Sequence, residues 1–323
     1  MTPDLPTPTA ADIDDAVARL NAGELVAIPT ETVYGLAGDA QNTNAVARVF
    51  ELKGRPPDRP VIVHLASRDD LPNWALAIPD YAHAWAEHFW PGPLTLVLPK
   101  RPDVSDTITA GQSTVACRVP SHPMTLAVLK RLGRAVVAPS ANRYGHISPT
   151  TADAVKEEFG DQAPSILDGG PCQVGIESTI VACVGPHPTI LRLGMITAEQ
   201  LAAVGGVEVA LADADTAVVA PGQVASHYSP RTPCHWLADA TALATQLAAL
   251  SPASRVGYLG WHTPPSAIEA SVVLAREPER AAQQLYASLR ELDQAGLDVI
   301  LVEAPPSGVA WDGVRDRLKR ASA

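Results

Sequence analysis

The sequence predicts an α/β protein, in which a twisted open sheet flanked by helices is followed by a small α/β domain. The first observation is the apolar run 25–28, which stops at Pro29 and is typical of a strand buried on both faces. The second is that apolar residues between such runs recur at helical spacing. The third is the alternation of strand and helix patterns after residue 233, which indicates a small parallel sheet with flanking helices.

Composition limits the function before any motif does. The chain has 323 residues, of which 46% are hydrophobic and 18% charged, so it is large enough for one large domain and a small one. A formal net charge of -11 argues against a general nucleic-acid binder, because binding to phosphates depends on accumulated lysine and arginine. Any RNA contact should therefore be local.

Several classes of site are not indicated. The four cysteines are scattered without a C-x-x-C pair, which predicts reduced thiols in a cytoplasmic protein rather than a zinc site or disulfides. The sequence shows neither a signal peptide nor an apolar run of membrane-spanning length, so no membrane contact is expected. It also lacks P-loop, dinucleotide-binding, zinc-hydrolase and nucleophilic-elbow motifs. We therefore expect chemistry without a protein nucleophile.

The N-terminal elements begin with a helix over 12–21, whose apolar residues fall on one side, and the strand 25–28. The strand leads into a polar turn rich in hydrogen-bonding side chains, which are Thr30, Glu31, Thr32 and Tyr34. Asn44 is predicted to cap the next helix and Gly54 to end it.

The segment after that helix has the composition of an anion site. A loop stiffened by prolines carries Lys53, Arg55 and Arg59, and the strand 61–65 carries His64. If the strand ends meet at one sheet edge, hydroxyls, an imidazole and cations converge there, as an anionic ligand with hydroxyl and amine groups requires. Each feature alone has a structural explanation, since a Lys-Gly-Arg turn is a common helix end and a strand histidine is commonly a core residue.

Arg118 lies in the predicted strand 113–119, which ends at Pro120. An arginine there is costly to bury unless it meets a carboxylate or phosphate, so either a ligand or an internal acid must be its partner. Further along, Ser140 and Asn142 form a polar loop at a strand end, and the next helix is capped by Thr150 or Thr151.

The other predicted elements follow from apolar periodicity and from glycine or proline boundaries. The helices are 80–90, 124–132, 197–204, 278–295 and a last one at the C-terminus; the strands are 94–98, 135–138, 175–180, 189–193, 255–259 and 299–302.

Three stretches carry a family resemblance. PTETVYGLAGDA at 29–40, KGRPPDRPVIVH at 53–64 and WPGPLTLVL at 90–98 resemble the YrdC-like threonylcarbamoyl-AMP synthases, in their long form with an added C-terminal domain. The resemblance implies a YrdC-like catalytic domain over 1–204, a linker over 205–233 that closes over the site as a lid, and a small Rossmann-like domain over 234–323. Without the resemblance, a glycine- and proline-rich linker is more typical of a passive tether. For the C-terminal domain, a regulatory and a purely stabilising role both remain open.

The resemblance also implies an activity. Members of this family are nucleotidyltransferases that condense L-threonine, bicarbonate and ATP, with Mg²⁺, into threonylcarbamoyl-adenylate and pyrophosphate. A downstream tRNA threonylcarbamoyl transferase takes the adenylate to form N6-threonylcarbamoyladenosine in tRNA.

Site residues carry over from the family by position. Lys53 and Arg55 correspond to the catalytic positions, and no protein ligand to a metal is implied. The residues matched to the L-threonine side are Thr32, His64, Arg118, Ala138 and Ser178. Those matched to the ATP side are Lys53, Arg55, Arg59, Thr114, Ser140, Asn142, Ser148, Arg192 and Tyr228. The chain departs from the family at Tyr144, where a serine is more common.

Two other functions stay open at this point. An RNA-binding module without turnover would use a basic patch and bind in a salt-sensitive way. That patch would consist of Arg48, Lys53, Arg55, Arg59 and Arg68. The acidic balance of the chain counts against it. A carbamoyl-phosphate-dependent transferase would share the fold, but the chain lacks the acylphosphatase and zinc-finger sequences that accompany such proteins.

Overall fold

The computed structural model describes residues 9–213, 216, 218, 220–221 and 228–323. The chain divides into two compact units. The described residues of 9–144, 149–173 and 177–221 form the first unit, and 145–148, 174–176 and 228–323 form the second. Two short segments that precede residue 177, 145–148 and 174–176, therefore belong to the second unit. The linker predicted over 205–233 includes 214–215, 217, 219 and 222–227, which lie outside the described residues, so the lid stays a prediction.

Ten described strands build the sheet of the first unit. In chain order they are β1 Val26–Ile28, β2 Gly35–Asp39, β3 Ile62–His64, β4 Leu94–Pro99, β5 Thr114–Arg118, β6 Val136–Val137, β7 Ser165–Ile166, β8 Thr179–Ala182, β9 Thr189–Arg192 and β10 Ala210–Leu211. Their order across the sheet is β10-β9-β8-β4-β5-β3-β6-β2-β1-β7. The neighbours β1/β7, β3/β5, β4/β8 and β9/β10 run parallel, and the others run antiparallel.

Helices pack on both faces of this sheet. Side chains alternate between the two faces along each strand, so a strand of buried residues presents side chains for helices to cover on either face. The described helices of the unit are α1 Ala10–Asn21, α2 Thr43–Lys53, α3 Asp80–Phe89, α4 Asp106–Thr109, α5 Pro123–Leu132, α6 Ala152–Phe159 and α7 Ala198–Gly205. On one face, Phe50 of α2 and Trp85 of α3 share a core with Val63. On the other face, Leu20 of α1 and Leu129 of α5 share a second core with Val136. The predicted sheet flanked by helices is confirmed.

The prediction of Asn44 as a helix cap is wrong. Asn42 caps α2 instead, and its side-chain oxygen accepts hydrogen bonds from the backbone N–H groups of Asn44 at 3.1 Å and Ala45 at 3.2 Å. Both asparagines have the chemistry of a cap, and the apolar pattern alone does not fix which residue precedes the first turn. Gly54 ends the helix as predicted, with a left-handed φ of 61°.

The stretch 29–40 is not only a polar turn, because β2 lies within it. Gly35 and Gly38 of this strand are packed closely by their neighbours. A Cβ at Gly35 would lie 3.1 Å from the Cβ of Ala138, and one at Gly38 would lie 3.1 Å from Cγ2 of Val49. Tertiary packing therefore requires small residues here, and their low strand propensity conceals the strand from a pattern-based prediction.

The second unit contains a sheet of four described strands, all parallel, in the order β11-β14-β12-β13. These are β11 Cys234–Leu237, β12 Val256–Gly260, β13 Ala270–Val273 and β14 Val299–Glu303, and the helices are α8 Ala240–Ala249, α9 Pro278–Gln294 and α10 Asp312–Ala321. The predicted small parallel sheet is confirmed. In the described part of the chain, no helix is both long and apolar enough to cross a membrane.

Candidate active site

Most of the predicted ligand-binding side chains in the strands fall on one face of the large sheet. Strand pairing places His64 of β3 opposite Arg118 of β5, and Arg192 of β9 opposite Ile180 of β8. Opposed residues share a face, and so do residues two apart along a strand. Through β4, which pairs with both β5 and β8, the two pairs lie on one face of the sheet, and so do three more predicted residues, Thr114, Ala138 and Ser178. The sheet alternation therefore gathers residues that are distant in sequence.

Arg118 is buried at the end of β5 and is held by groups from distant parts of the chain. Its Nε donates to the carbonyl oxygen of Gly92 at 3.1 Å, and its Nη1 donates to Oγ1 of Thr32 at 3.0 Å. Its Nη2 lies 2.5 Å from Oε1 of Glu31, and both side chains are at most 5% exposed. Glu31 is fixed in turn, because its Oε2 accepts a hydrogen bond from the backbone N–H of Ser121 at 3.0 Å.

The internal acid that the sequence left open is therefore Glu31. The ion pair with this carboxylate offsets part of the desolvation cost of the buried guanidinium. Thr32, which also contacts the guanidinium, lies 2.9 Å from Thr30 between their hydroxyl oxygens. A fixed guanidinium beside hydroxyl groups is suited to the carboxylate of a hydroxylated ligand.

His64 is buried beside Arg118. Its Nδ1 lies 3.4 Å from the carbonyl oxygen of Ile62. Burial, and after it the charge of Arg118, lower the pKa of His64 to about 3. The imidazole is therefore neutral at pH 7, and it contributes hydrogen-bonding capacity to the site without a second positive charge.

We expect His64 to make the fold sensitive to acid. The folded protein keeps the imidazole neutral, whereas the unfolded chain protonates it below a pKa near 6.5. The stability it contributes is complete above about pH 6.5 and is lost as the pH falls toward about 3. The substitution His64→Gln should reduce the slope of unfolding free energy against pH by up to about 1.4 kcal/mol per pH unit in this window. Urea unfolding of both proteins between about pH 5 and 7 measures the slopes, and parallel curves would contradict the prediction.

Ser178, just before β8, joins the two predicted substrate sides. Its Oγ lies 2.8 Å from Oγ1 of Thr95 and accepts a hydrogen bond from Nη2 of Arg192 at 3.0 Å. The Nε of Arg192 also donates to the carbonyl oxygen of Ser178 at 3.1 Å. A residue predicted for L-threonine and one predicted for ATP are thus in direct contact.

Lys53, at the end of α2, is 2% exposed. Its Nζ donates to the carbonyl oxygens of Asn142, at 2.5 Å, and Ser140. The KGR and SAN segments therefore meet, although the contact uses backbone oxygens of the second segment. Burial, and next the charge of Arg55, lower the pKa of Lys53 well below its usual value. A bound anion would favour the charged ammonium.

Arg55 is mostly buried, and its Nη2 donates to the carbonyl oxygen of Pro60 at 2.8 Å. Its guanidinium carbon lies 5.9 Å from the ring centre of Tyr144, within the range of a cation–π contact. The residue at which this chain departs from the family thus touches a predicted catalytic residue. Arg59 differs from both, because its side chain is 34% exposed and lies 3.9 Å from Asp58.

The basic patch of the RNA-binding alternative is not a continuous surface. Lys53 and Arg55 are buried, whereas Arg48 and Arg68 are exposed. Arg68 is also paired with Glu87 at 3.2 Å. RNA phosphates would therefore reach only part of the patch, which counts against this alternative.

Two of the predicted ATP-binding residues, Ser148 and Tyr228, belong to the second unit, and both are buried. Tyr228 has a left-handed φ of 63°. Its ring centre lies 5.8 Å from that of Tyr286 and 5.1 Å from the guanidinium carbon of Arg317. The part of the predicted lid directly before Tyr228, at 222–227, lies outside the described residues.

Sequence reasoning missed Thr95 and did not identify Glu31 as the partner of Arg118. Thr95 is buried in the otherwise apolar strand β4, and this lone hydroxyl was the available signal. For Glu31 the signal was its carboxylate, because no other charged residue follows it before Asp39. Neither signal identifies the residue that is contacted, because both contacts join residues more than 80 positions apart in the sequence.

A metal ion would find few protein ligands here. In the part of the chain that the structure describes, no three His, Cys, Asp or Glu side chains are placed to hold a metal ion together. A magnesium ion carried by the phosphates of a nucleotide would not need such a cluster, since Mg²⁺ commonly keeps water and phosphate oxygens as ligands.

Two family models match the chain in tandem. The model described as "Telomere recombination" matches residues 18–194. The model described as "Threonylcarbamoyl-AMP synthase, C-terminal domain" matches residues 196–323.

Relatives of similar length are named threonylcarbamoyl-AMP synthase. The protein from Bacillus subtilis (strain 168) is 38% identical over 323 residues, which cover 96% of this chain and 92% of that protein. The protein from Pyrococcus abyssi is 38% identical over 321 residues, which cover 95% of this chain and 93% of that protein. The Schizosaccharomyces pombe protein is 33% identical and covers 98% of this chain.

Solved structures agree with these matches. The crystal structure of P. abyssi Sua5 complexed with L-threonine has a TM-score of 0.88 at 37% identity, covering 96% of this chain and 94% of that one. E. coli YciO matches 58% of this chain with a TM-score of 0.51 at 19% identity, which shows the fold alone.

Proposed function

Because this chain belongs to the two-domain threonylcarbamoyl-AMP synthase family, we propose that it is a nucleotidyltransferase that condenses L-threonine, bicarbonate and ATP into threonylcarbamoyl-AMP and pyrophosphate. One observation carries the proposal. Residues predicted for the two substrates share a face of the sheet, and Arg192 from the ATP side donates to Ser178 from the threonine side at 3.0 Å. Adjoining sites are what a direct condensation of the two substrates requires.

On the threonine side, Arg118 binds the carboxylate through its guanidinium, and Thr32 and Ser178 bind the polar groups of the amino acid. The guanidinium is already fixed by Glu31, which supports recognition of a carboxylate in a defined position. Neutral His64 lies next to Arg118 and accepts a hydrogen bond from the amine. The solved relative that contains L-threonine supports this side of the proposal.

On the ATP side, Lys53 and Arg55 neutralise phosphate oxygens, and Ser140, Asn142 and Arg192 of the same unit contact the nucleotide. The family resemblance also assigns Ser148 and Tyr228 to ATP. Thr114 stands at the other end of β5 from Arg118, about 13 Å away at ~3.3 Å per residue. An extended nucleotide can span that distance along the strand. Mg²⁺ bound to the phosphates would stabilise the charge that develops on pyrophosphate.

The reaction needs two bond-forming steps. The threonine amine and bicarbonate first give a carbamate, with loss of water. A carbamate oxygen then attacks the α-phosphorus of ATP, and the new O–P bond forms as the bond to pyrophosphate breaks. The protein contributes positioning and charge stabilisation, which are the main terms in phosphoryl-type transfer. No side chain has to form a covalent intermediate.

Pyrophosphate release from ATP tests the proposal directly. We expect release that depends strictly on both L-threonine and bicarbonate, with threonylcarbamoyl-AMP as the product seen by mass spectrometry. L-Valine, which matches threonine in shape but lacks the hydroxyl, should be at least about 10²-fold poorer in kcat/KM, because it leaves buried hydroxyl partners unpaired. Folded protein that releases no pyrophosphate with any amino acid would contradict the proposal. Turnover with carbamoyl phosphate in place of bicarbonate and L-threonine would favour the carbamoyl-transfer alternative.

The product is an activated mixed anhydride, so a downstream tRNA threonylcarbamoyl transferase has to receive it. A cytoplasmic location suits these substrates and the four cysteines, which are all free thiols. Any direct contact with RNA would be local, and it would show as binding that weakens as salt rises.

A further inference from the structure

Helix α9 of the second unit presents a row of residues to segments from elsewhere in the chain. Ala282, Tyr286 and Arg290 are four positions apart, so they lie along one face of the helix. Three segments contact this row or the residue beside it, in order along the helix. They are 174–176, 228–229 and 145–148, and all belong to the second unit.

The first contact is a close approach of two backbones. Gly175 has a φ of 82°, and a Cβ on it would lie 2.4 Å from the Cα of Gln283 and 2.5 Å from the carbonyl oxygen of Ala282. Only glycine fits against the helix at this distance. Ser178, predicted to bind L-threonine, follows three residues later.

The middle contact involves the end of the linker. The ring of buried Tyr228 lies against that of Tyr286, with 5.8 Å between their centres. The next residue, Ser229, donates its backbone N–H to the carbonyl oxygen of Gly145 at 2.9 Å. The linker end therefore joins the row on α9 to the segment 145–148.

The third contact is a hydrogen bond from the helix to that segment. Nη2 of Arg290 donates to the carbonyl oxygen of Ile147 at 3.2 Å. The neighbouring residue is Ser148, which is buried and is predicted to bind ATP. Arg290 thus fixes the backbone directly before a predicted nucleotide ligand.

We propose that α9 is a positioning element for both substrate sides, in which Arg290 places Ser148 for ATP and the Gly175 contact sets the approach to Ser178 for L-threonine. The inference rests on the proposed function. It gives the C-terminal domain a role in the reaction beyond stabilising the fold. A misplacement of about 1 Å in such residues can cost about 10²-fold in rate, so modest changes on α9 should be visible in kinetics.

The substitution Arg290→Ala tests the nucleotide side. We expect the KM for ATP to rise about 10-fold or more while the KM for L-threonine changes less than about 2-fold. Arg290→Lys should recover part of the loss, because an ammonium can still donate to the Ile147 carbonyl. Arg280→Ala is the matched control, since Arg280 is an exposed arginine in the same helix. A merely structural role would lower the melting temperature without changing one KM selectively.

Two glycine substitutions test the threonine side. Gly175 and Gly185 both have a φ of 82°, so alanine is strained similarly at either position. A Cβ on Gly175 clashes with α9, whereas one on Gly185 meets nothing within 4 Å. We expect Gly175→Ala to raise the KM for L-threonine about 10-fold or more, and Gly185→Ala to leave it near the wild-type value.

Hydrogen exchange provides a readout that does not need turnover. Backbone amides of 146–148 should exchange faster in Arg290→Ala than in Arg280→Ala, and those of 176–178 faster in Gly175→Ala than in Gly185→Ala. If the folded wild-type protein shows no turnover, the proposed function is wrong. Hydrogen exchange in the variants would still test the role of α9 in that case. Unchanged exchange and unchanged KM values in Arg290→Ala would overturn the positioning role, even if Gly175→Ala failed to fold.

Discussion

Replacing Arg118 by alanine should abolish L-threonine-dependent pyrophosphate release and lower the free energy of unfolding by about 3–5 kcal/mol. The loss of stability is expected because Glu31, 5% exposed and 2.5 Å from the guanidinium, would remain buried without its counter-charge. The loss of activity is expected because the amino-acid carboxylate would have no cation in its site. Urea unfolding at about pH 7 and pyrophosphate release measure the two effects separately.

A double substitution separates the two roles of Arg118. Changing Arg118→Gln together with Glu31→Gln removes both buried charges, so much of the stability should return, whereas turnover should not. Arg19→Ala is the control for loss of an ion pair. Arg19 is 41% exposed and its partners Asp15 and Glu24 are 55% and 47% exposed, so this change should leave the free energy of unfolding close to the wild-type value. Arg118→Ala protein with normal stability and normal turnover would refute both roles.

Replacing Lys53 by methionine should reduce kcat/KM for pyrophosphate release by at least about 10²-fold and leave the protein folded. Methionine is also unbranched and is only one atom shorter than lysine, but it cannot neutralise a phosphate. Two changes in stability oppose each other. The carbonyl oxygens of Ser140 and Asn142 lose their donor, while the cost of burying an ammonium disappears, so the net change should stay within about 2 kcal/mol.

Circular dichroism melting and the pyrophosphate assay measure these effects together. Lys156→Ala is a suitable control, because Lys156 is an exposed lysine of the same unit. A double variant, Lys53→Ala with Arg55→Ala, tests the assignment more severely. If it kept near-normal turnover, neither residue could be part of the catalytic site.

The parts of the fold that local patterns determine were predictable. The strand 25–28 and the end of α2 at Gly54 were identified because an apolar run broken by proline, and a glycine after a helical pattern, each have one common structural meaning. Strand β2 was missed because GLAGD has few residues that favour strands. Its glycines are required by Val49 and Ala138, and sequence does not report such neighbours.

The site was predictable in its residue types but not in its contacts. The cost of burying Arg118 required a partner, and the sequence allowed two kinds of partner without choosing between them. Glu31 became identifiable only when the fold joined positions 87 apart, 31 and 118. The contact of Lys53 with backbone oxygens could not be anticipated at all, because every residue carries a carbonyl group.

The ion pair of Arg118 also has a consequence for the thermodynamics of ligand binding. Glu31, Thr32 and Gly92 hold the guanidinium in place before any amino acid arrives. The entropy lost in ordering such a side chain, about 0.5–1.5 kcal/mol, is therefore spent during folding rather than during binding. Calorimetry should find a smaller unfavourable entropy of L-threonine binding for the wild type than for Glu31→Gln, in which the arginine is less firmly held.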